Sequence, residues 1–174
     1  NYFKDIIVIK KKEERKSLEK EWETLTAIKQ GYTGEETISI TPLAYYSEET
    51  HDVLITKRKA RKNLNVLFAE RISLEKKIEE CIHTMRNLAK LHNMDLKSAQ
   101  YDPVSEMKRR VLGRFEYTKE AETFFEVYQE FHQRRTQGQE HVTSHGDLLP
   151  QNILECGILI DFETRISACP WFDI

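Results

Sequence analysis

Little in this sequence supports a disulfide scaffold, a membrane span or a binder of polyanions. Its three cysteines, Cys81, Cys156 and Cys169, lie far apart, are odd in number and show no metal-ligand pairing, which fits a reducing compartment. No apolar run approaches the roughly 20 residues that cross a bilayer. No excess charge of one sign is present. Lys plus Arg number 27 against 29 Asp plus Glu, a net charge of -2, so neither nucleic acid nor an anionic membrane is implied as main partner. With 39% hydrophobic and 32% charged residues the chain is neither collagen-like nor fully disordered. Neither an initiator Met nor a signal-peptide pattern opens it, and no internal repeat or low-complexity segment follows. What remains is 174 residues, enough for one domain or two small lobes, with a soluble cytoplasmic location expected.

Ile6 to Lys10 is a β-branched run whose alternation puts Ile6, Val8 and Lys10 on one face and Ile7 and Ile9 on the other. After the polar KKKEERK, a helix is expected from a Ser17 cap. Its apolar stripe is Leu18, Trp22, Leu25 and Ile28 (or Ala27), and it ends in the Gly31 to Gly34 region. Pro42 to Tyr46 and Val53 to Thr56 read as two strands joined by SEETHD. Ser73 to His92 places Leu74, Ile78, Cys81, Ile82, Met85, Leu88, Ala89 and Leu91 at helical spacing, predicting a well-buried central helix. Further helices are expected over 103–113 and 119–135, and a hairpin around Cys156-Gly157. The order predicts an α+β fold of two lobes, a small β-rich one over residues 1–57 and a mainly helical one over 58–174. The chain opens almost at once in a strand and stops at PWFDI, where an apolar segment begins, so both lobes read as incomplete.

The chemistry concentrates in HGDLLPQNIL, His145 to Leu154, and ILIDFE, Ile158 to Glu163. Asp147 and Asn152 lie on a loop containing Gly146 and Pro150, and Asp161 ends an apolar run that delivers a carboxylate to the lobe junction. Two carboxylates brought together raise each other's pKa unless a cation intervenes. A carboxylate and an amide oxygen are hard ligands of the kind Mg²⁺ prefers. Asp147 is then free to orient and deprotonate a hydroxyl. The plainer alternative is turn hydrogen bonding by Asp147 and Asn152, with Asp161 capping a strand.

At the front, Glu21 falls on the apolar stripe of its helix, three residues after Leu18 and four before Leu25. A carboxylate on a packed face is expensive unless paired. Lys10 is the natural partner; Lys12, on the same strand face, is the competing choice.

Together these motifs resemble the kinase-like phosphotransferases of the aminoglycoside phosphotransferase and choline kinase group. That pattern, HGD-x-x-x-x-N, a hairpin and I-D-[FW]-[EG], stands here as His145-Gly146-Asp147, Asn152 and Ile160-Asp161-Phe162-Glu163. IVIK followed by EWETLTAI resembles the family's strand lysine and helix glutamate, and NLAKLH, Asn87 to His92, its central helix end. The resemblance implies a two-lobed protein-kinase-like fold, Asp147 as catalytic base, and Asn152 and Asp161 as Mg²⁺ ligands. It implies that Lys10, held by Glu21, contacts the phosphates of the bound ATP or GTP. His145 and Asp173 would support the catalytic loop, with a helix-start acid the equal alternative for Asp173. His92 would be a structural histidine.

Fifty-three positions separate His92 from His145, room for the inserted helices that form an acceptor pocket in the small-molecule branch. HGD in place of the protein-kinase HRD points the same way. The expected function is transfer of the γ-phosphate to a hydroxyl of an aminoglycoside, amino alcohol, sugar or related metabolite. A non-catalytic nucleotide-binding regulator is the alternative, and a protein kinase a third reading. Glu116, Glu120, Glu122, Glu126 and Glu130 in the insertion suit a cationic acceptor or a solvated helix face. The basic run Lys57 to Lys62 lies where the resemblance implies the adenine-binding hinge, and suits a solvated connector, a nuclear signal or an anion patch. The glycine-rich phosphate loop is absent from the sequence. Asn152 and Asp161 lie nine positions apart, short for the family, so the hairpin turn is very tight or residues are missing.

Overall fold

The structure is a computed structural model that describes residues 4–13, 18–32, 38–96, 102, 105 and 119–173. Strand β1 (Asp5–Lys12) pairs antiparallel with β3 (Asp52–Lys59), and β3 pairs on its other edge with β2 (Thr41–Ser47). The period-2 reading of β1 holds: Ile7 and Ile9 face solvent, whereas Ile6, Val8 and Lys10 are half-buried.

Helix α1 (Glu19–Gly31) follows β1, and no side chain of its own caps it. Leu18 N–H instead donates to Asp52 Oδ2 on β3 at 3.0 Å. Asp52, fully buried, also accepts from Ser47 Oγ at 2.9 Å and Tyr45 OH at 3.2 Å. A carboxylate from the sheet thus satisfies a helix N-terminus, where the backbone dipole favours negative charge. Leu18, Leu25 and Ile28 pack into one core with Ile38, Ile40, Leu54, Leu88, Leu91 and Leu159. Ser17 and Gly34 lie outside the described residues.

Strand β3 runs three residues past the expected end at Thr56, so Lys57, Arg58 and Lys59 belong to the strand and not to a connector. A short helix the sequence reading missed, α2 (Leu64–Ala69), comes next. Asn63 Oδ1 caps it from Val66 N–H at 2.9 Å. Helix α3 (Leu74–His92) begins at Ser73, whose Oγ accepts from Lys76 N–H at 3.2 Å.

Burial on α3 corrects the expectation of a central helix packed by its apolar stripe. Leu74, Ile78, Cys81, Ile82 and Met85 are exposed, and the covered face is Glu80, Thr84, Asn87, Leu88 and Leu91. The hairpin of β5 (Ile153–Leu154) and β6 (Ile158–Leu159) explains why. Its turn presents main-chain groups to the helix. Cys156 N–H donates to Glu80 Oε2 at 2.6 Å, and Asn87 Nδ2 donates to the Gly157 carbonyl at 2.9 Å. Buried polar side chains on α3 therefore satisfy a buried turn. Cys156 and Gly157 both take positive φ, 65° and 67°, and a Cβ on Gly157 would stand 2.4 Å from the His83 carbonyl carbon. The short spacing from Asn152 to Asp161 is met by this tight turn.

Helix α4 (Lys119–Thr136) lies in the insertion, and the helix expected over 103–113 falls outside the described residues apart from Ser105. Two three-residue strands not foreseen, β4 (Val142–Ser144) and β7 (Ile166–Ala168), pair antiparallel around the segment that carries the motifs. Among the described residues no helix is long and apolar enough to cross a membrane.

Candidate functional site

Lys10 and Glu21 meet because β1 and α1 each turn a charged residue inward. Lys10 Nζ donates to Glu21 Oε2 at 2.7 Å and Oε1 at 2.9 Å, and to Asp161 Oδ1 at 3.1 Å. Glu21 is fully buried, while Lys10 keeps 29% of its side chain exposed. Burial alone would pull the Lys10 ammonium down, but Glu21, with Asp161 behind it, outweighs burial and holds it above its usual range. Burial pushes Glu21 up against the pull of Lys10. Lys12, the competing lysine, is exposed and bonds Glu163 instead. Asp161 follows β6 in a left-handed conformation, φ 68° and ψ 61°.

The loop after β4 is held mainly through its backbone. Asp173 Oδ2 accepts from His145 N–H at 2.8 Å and Oδ1 from Gly146 N–H at 3.0 Å. His92 Nε2 lies 3.1 Å from Asp173 Oδ2. Burial would raise the Asp173 carboxyl, but the bonds from His92, Gly146 and His145 win and hold it below the ordinary carboxylate range. Gly146 has φ +84°, and a Cβ there would meet the Thr164 carbonyl at 2.2 Å, so only glycine fits.

His145 is fully buried, and its ring packs against Phe162 at a tilt of 42° with centroids 4.8 Å apart. Its Nε2–H donates to the Ile160 carbonyl at 2.8 Å, and its Nδ1 accepts from Asp147 N–H at 3.3 Å. Those two bonds require the neutral Nε2–H tautomer, and burial pushes its pKa down. Asn152 Nδ2 donates to the Asp147 carbonyl at 2.9 Å and to Asp147 Oδ2 at 3.0 Å. With Nδ2 spent on Asp147, the amide oxygen is the side-chain atom that could accept or ligate. Ile160 N–H donates to the Asn152 carbonyl at 3.0 Å, so one residue ties the loop to the segment bearing Asp161.

Carboxylate oxygens of Glu21, Asp161 and Glu163 lie within 4.8 Å of one another, with Lys10 Nζ among them. The three are hard oxygen donors of the kind Mg²⁺ prefers, while Lys10 is the cation among them that an anionic phosphate would meet. Glu163 was not singled out in the sequence; the signal available was its place two residues after Asp161. Of the acidic residues in the insertion, Glu120, Glu122, Glu126 and Glu130 are exposed on α4, with Glu130 paired to Arg134, and Glu116 lies outside the described residues.

No protein-family model and no curated protein matches the sequence. Solved structures do share its fold. An aminoglycoside phosphotransferase from Streptomyces rimosus, solved with ADP and streptomycin, matches at a TM-score of 0.65 and 18% identity, over 97% of this chain and 68% of its own. An aminoglycoside 3'-phosphotransferase of type VIII gives 0.64 at 16% identity over 96% and 66% of the two chains. A choline/ethanolamine kinase family protein from Mesorhizobium loti gives 0.60 at 17% identity over 96% and 55%. The chain thus has the fold its motifs resemble, and spans between about half and two thirds of these proteins' lengths.

Proposed function

We propose that this chain carries the nucleotide and catalytic elements of a small-molecule phosphotransferase, moving the γ-phosphate of ATP or GTP to a hydroxyl group. The observation that carries the reading is Lys10 Nζ held jointly by Glu21 and Asp161, beside a loop in which Asn152 fixes Asp147. In this reading residues 1–57 form a nucleotide-binding lobe and 58–174 the lobe that bears the catalytic loop. The neighbours support it as small-molecule kinases, one of them solved with ADP.

Asp161 and the Asn152 amide oxygen would hold Mg²⁺, which when bound would neutralise phosphate charge, and Lys10, kept extended by Glu21, contacts the phosphates. Asp147 orients the acceptor hydroxyl and takes its proton as the new oxygen–phosphorus bond forms and the bond to the leaving diphosphate breaks. Asn152 holds Asp147 through two bonds, and Asp173 holds the preceding backbone. Little covalent help is needed, because such transfer rests on positioning and charge neutralisation. The acceptor class is an alcohol, amino alcohol, sugar or aminoglycoside.

The test is a screen of those acceptors with Mg²⁺ and either nucleotide, following phosphorylated product by mass spectrometry. A product whose formation is lost in Asp147→Asn supports the reading. Nucleotide binding without transfer to any acceptor, in a protein with all three motif residues intact, supports the regulator instead.

A further inference from the structure

We propose that the exposed apolar face of α3 joins two copies of this chain, the helices antiparallel about a two-fold axis. Leu74, Ile78, Cys81, Ile82, Met85 and Ala89 form this face, and all six are exposed. They border an open trough of about 610 Å³ whose every lining residue belongs to α3. A contiguous exposed apolar face of this kind marks a docking surface. The charges along its edge say what docks there.

Glu75 and Arg86 stand on one edge of the face, because eleven positions are close to three helical turns. Both are exposed, and neither makes an ion pair among the described residues. About 16 Å of helix separates them, so within one copy they cannot meet. In an antiparallel pair whose two-fold passes midway between Glu80 and Cys81, Glu75 of each copy comes level with Arg86 of the other. The ion pair then forms twice.

The same register sets Leu74 between the levels of Met85 and Ala89 of the other copy, and Ile78 between those of Ile82 and Met85. The apolar residues therefore interdigitate. Lys77, on the opposite edge, comes level with the uncharged Thr84. A parallel pair would instead set Glu75 against Glu75 and Arg86 against Arg86, which repels. One register thus serves the packing and both charges, and it is self-complementary, as a two-fold interface must be. One helix from each copy buries an area at the low end of stable interfaces, so the association is reversible and concentration-dependent. The inference stands whether or not the chain transfers phosphate.

Sedimentation equilibrium of the full chain over a range of concentrations tests it. The expected result is a monomer–dimer equilibrium that Ile82→Glu abolishes. Arg86→Glu and Glu75→Arg should each weaken it about tenfold, since each breaks two ion pairs and sets like charges in opposition. Combined in one chain, the two exchanges should restore affinity to within about threefold of the parent. All three positions are exposed, so the variants keep the fold, which a thermal melt checks. A monomer at every concentration, full affinity in Ile82→Glu or in both single charge variants, or a double variant no better than the singles would each overturn the proposal.

Discussion

Two regions of this molecule are built by different means. In the first, Lys10, Glu21 and Asp161 come from a strand, a helix and the end of a hairpin and touch through ionised side chains. In the second, the loop from His145 to Asn152 is fixed mostly by main-chain groups, with a buried neutral imidazole and an outlying carboxylate as its supports. The charge-built cluster suits binding phosphates, whose charges it can exchange for its own. The backbone-built loop suits chemistry, because it holds Asp147 without neutralising it. The two are linked through Ile160, whose N–H bonds the Asn152 carbonyl and whose carbonyl accepts from His145.

The largest expected effect separates the regions outright. Asp147→Asn should lower kcat by about 10²–10⁴-fold, the usual contribution of a positioned base, with folding and nucleotide affinity retained. Asp147 is exposed, so its loss leaves no buried group stranded. Steady-state kinetics and a thermal melt on the same sample decide it; a comparable kcat means that another group is the base.

In the cluster, Lys10→Met should destabilise the fold by about 2–3 kcal/mol by leaving Glu21 buried and unpaired, less than a fully enclosed pair since Lys10 is partly solvated. Adding Glu21→Leu should restore most of that stability but not nucleotide binding. Denaturant unfolding of the single and double variants reads this directly, and additive losses would refute the pairing as the source of the cost.

Asp173→Asn should weaken the loop by about 2 kcal/mol, since the amide keeps one acceptor oxygen and turns an NH₂ donor toward the other backbone N–H. Native-state hydrogen exchange at the His145 and Gly146 amides should report the loss locally, with α1 unaffected. Equal loosening of α1 would mean that the two regions are one unit.

The smallest effect is a difference in response to acid. The folded state depresses the His145 pKa below 6.5, so its contribution is present above that value and is lost as pH falls through the depressed one. Glu21 is shifted upward from 4.5, so the folded state favours its neutral form and the cluster is relatively less stable above that range. Lowering the pH from 7 into the range below 6.5 should therefore speed exchange in the loop before it does so in α1, a sequence that amide exchange corrected for intrinsic rates can establish.

Some of this was legible in the residues. The strand faces of β1 followed from its alternation, and the Lys10–Glu21 contact followed from a carboxylate placed on an apolar stripe. The apolar periodicity of α3 misled, because periodicity finds a helix face without saying what covers it. Only the turn at Cys156-Gly157 explains why Glu80 and Asn87 are the ones buried. Asp52 capping α1 depends on a strand thirty-four positions away and left no local signal. β4 and β7, three residues each, are too short to show a period.

The division between a binding cluster and a chemical loop is tested most directly by titrating nucleotide into the parent, Asp147→Asn and Asp161→Ala, each with and without Mg²⁺. The account predicts that Asp147→Asn binds as the parent does in both conditions. It predicts that Asp161→Ala loses affinity when Mg²⁺ is present and far less when it is absent, because the carboxylate acts on phosphates through the cation. Equal losses in both titrations, or a loss of affinity in Asp147→Asn, would contradict it.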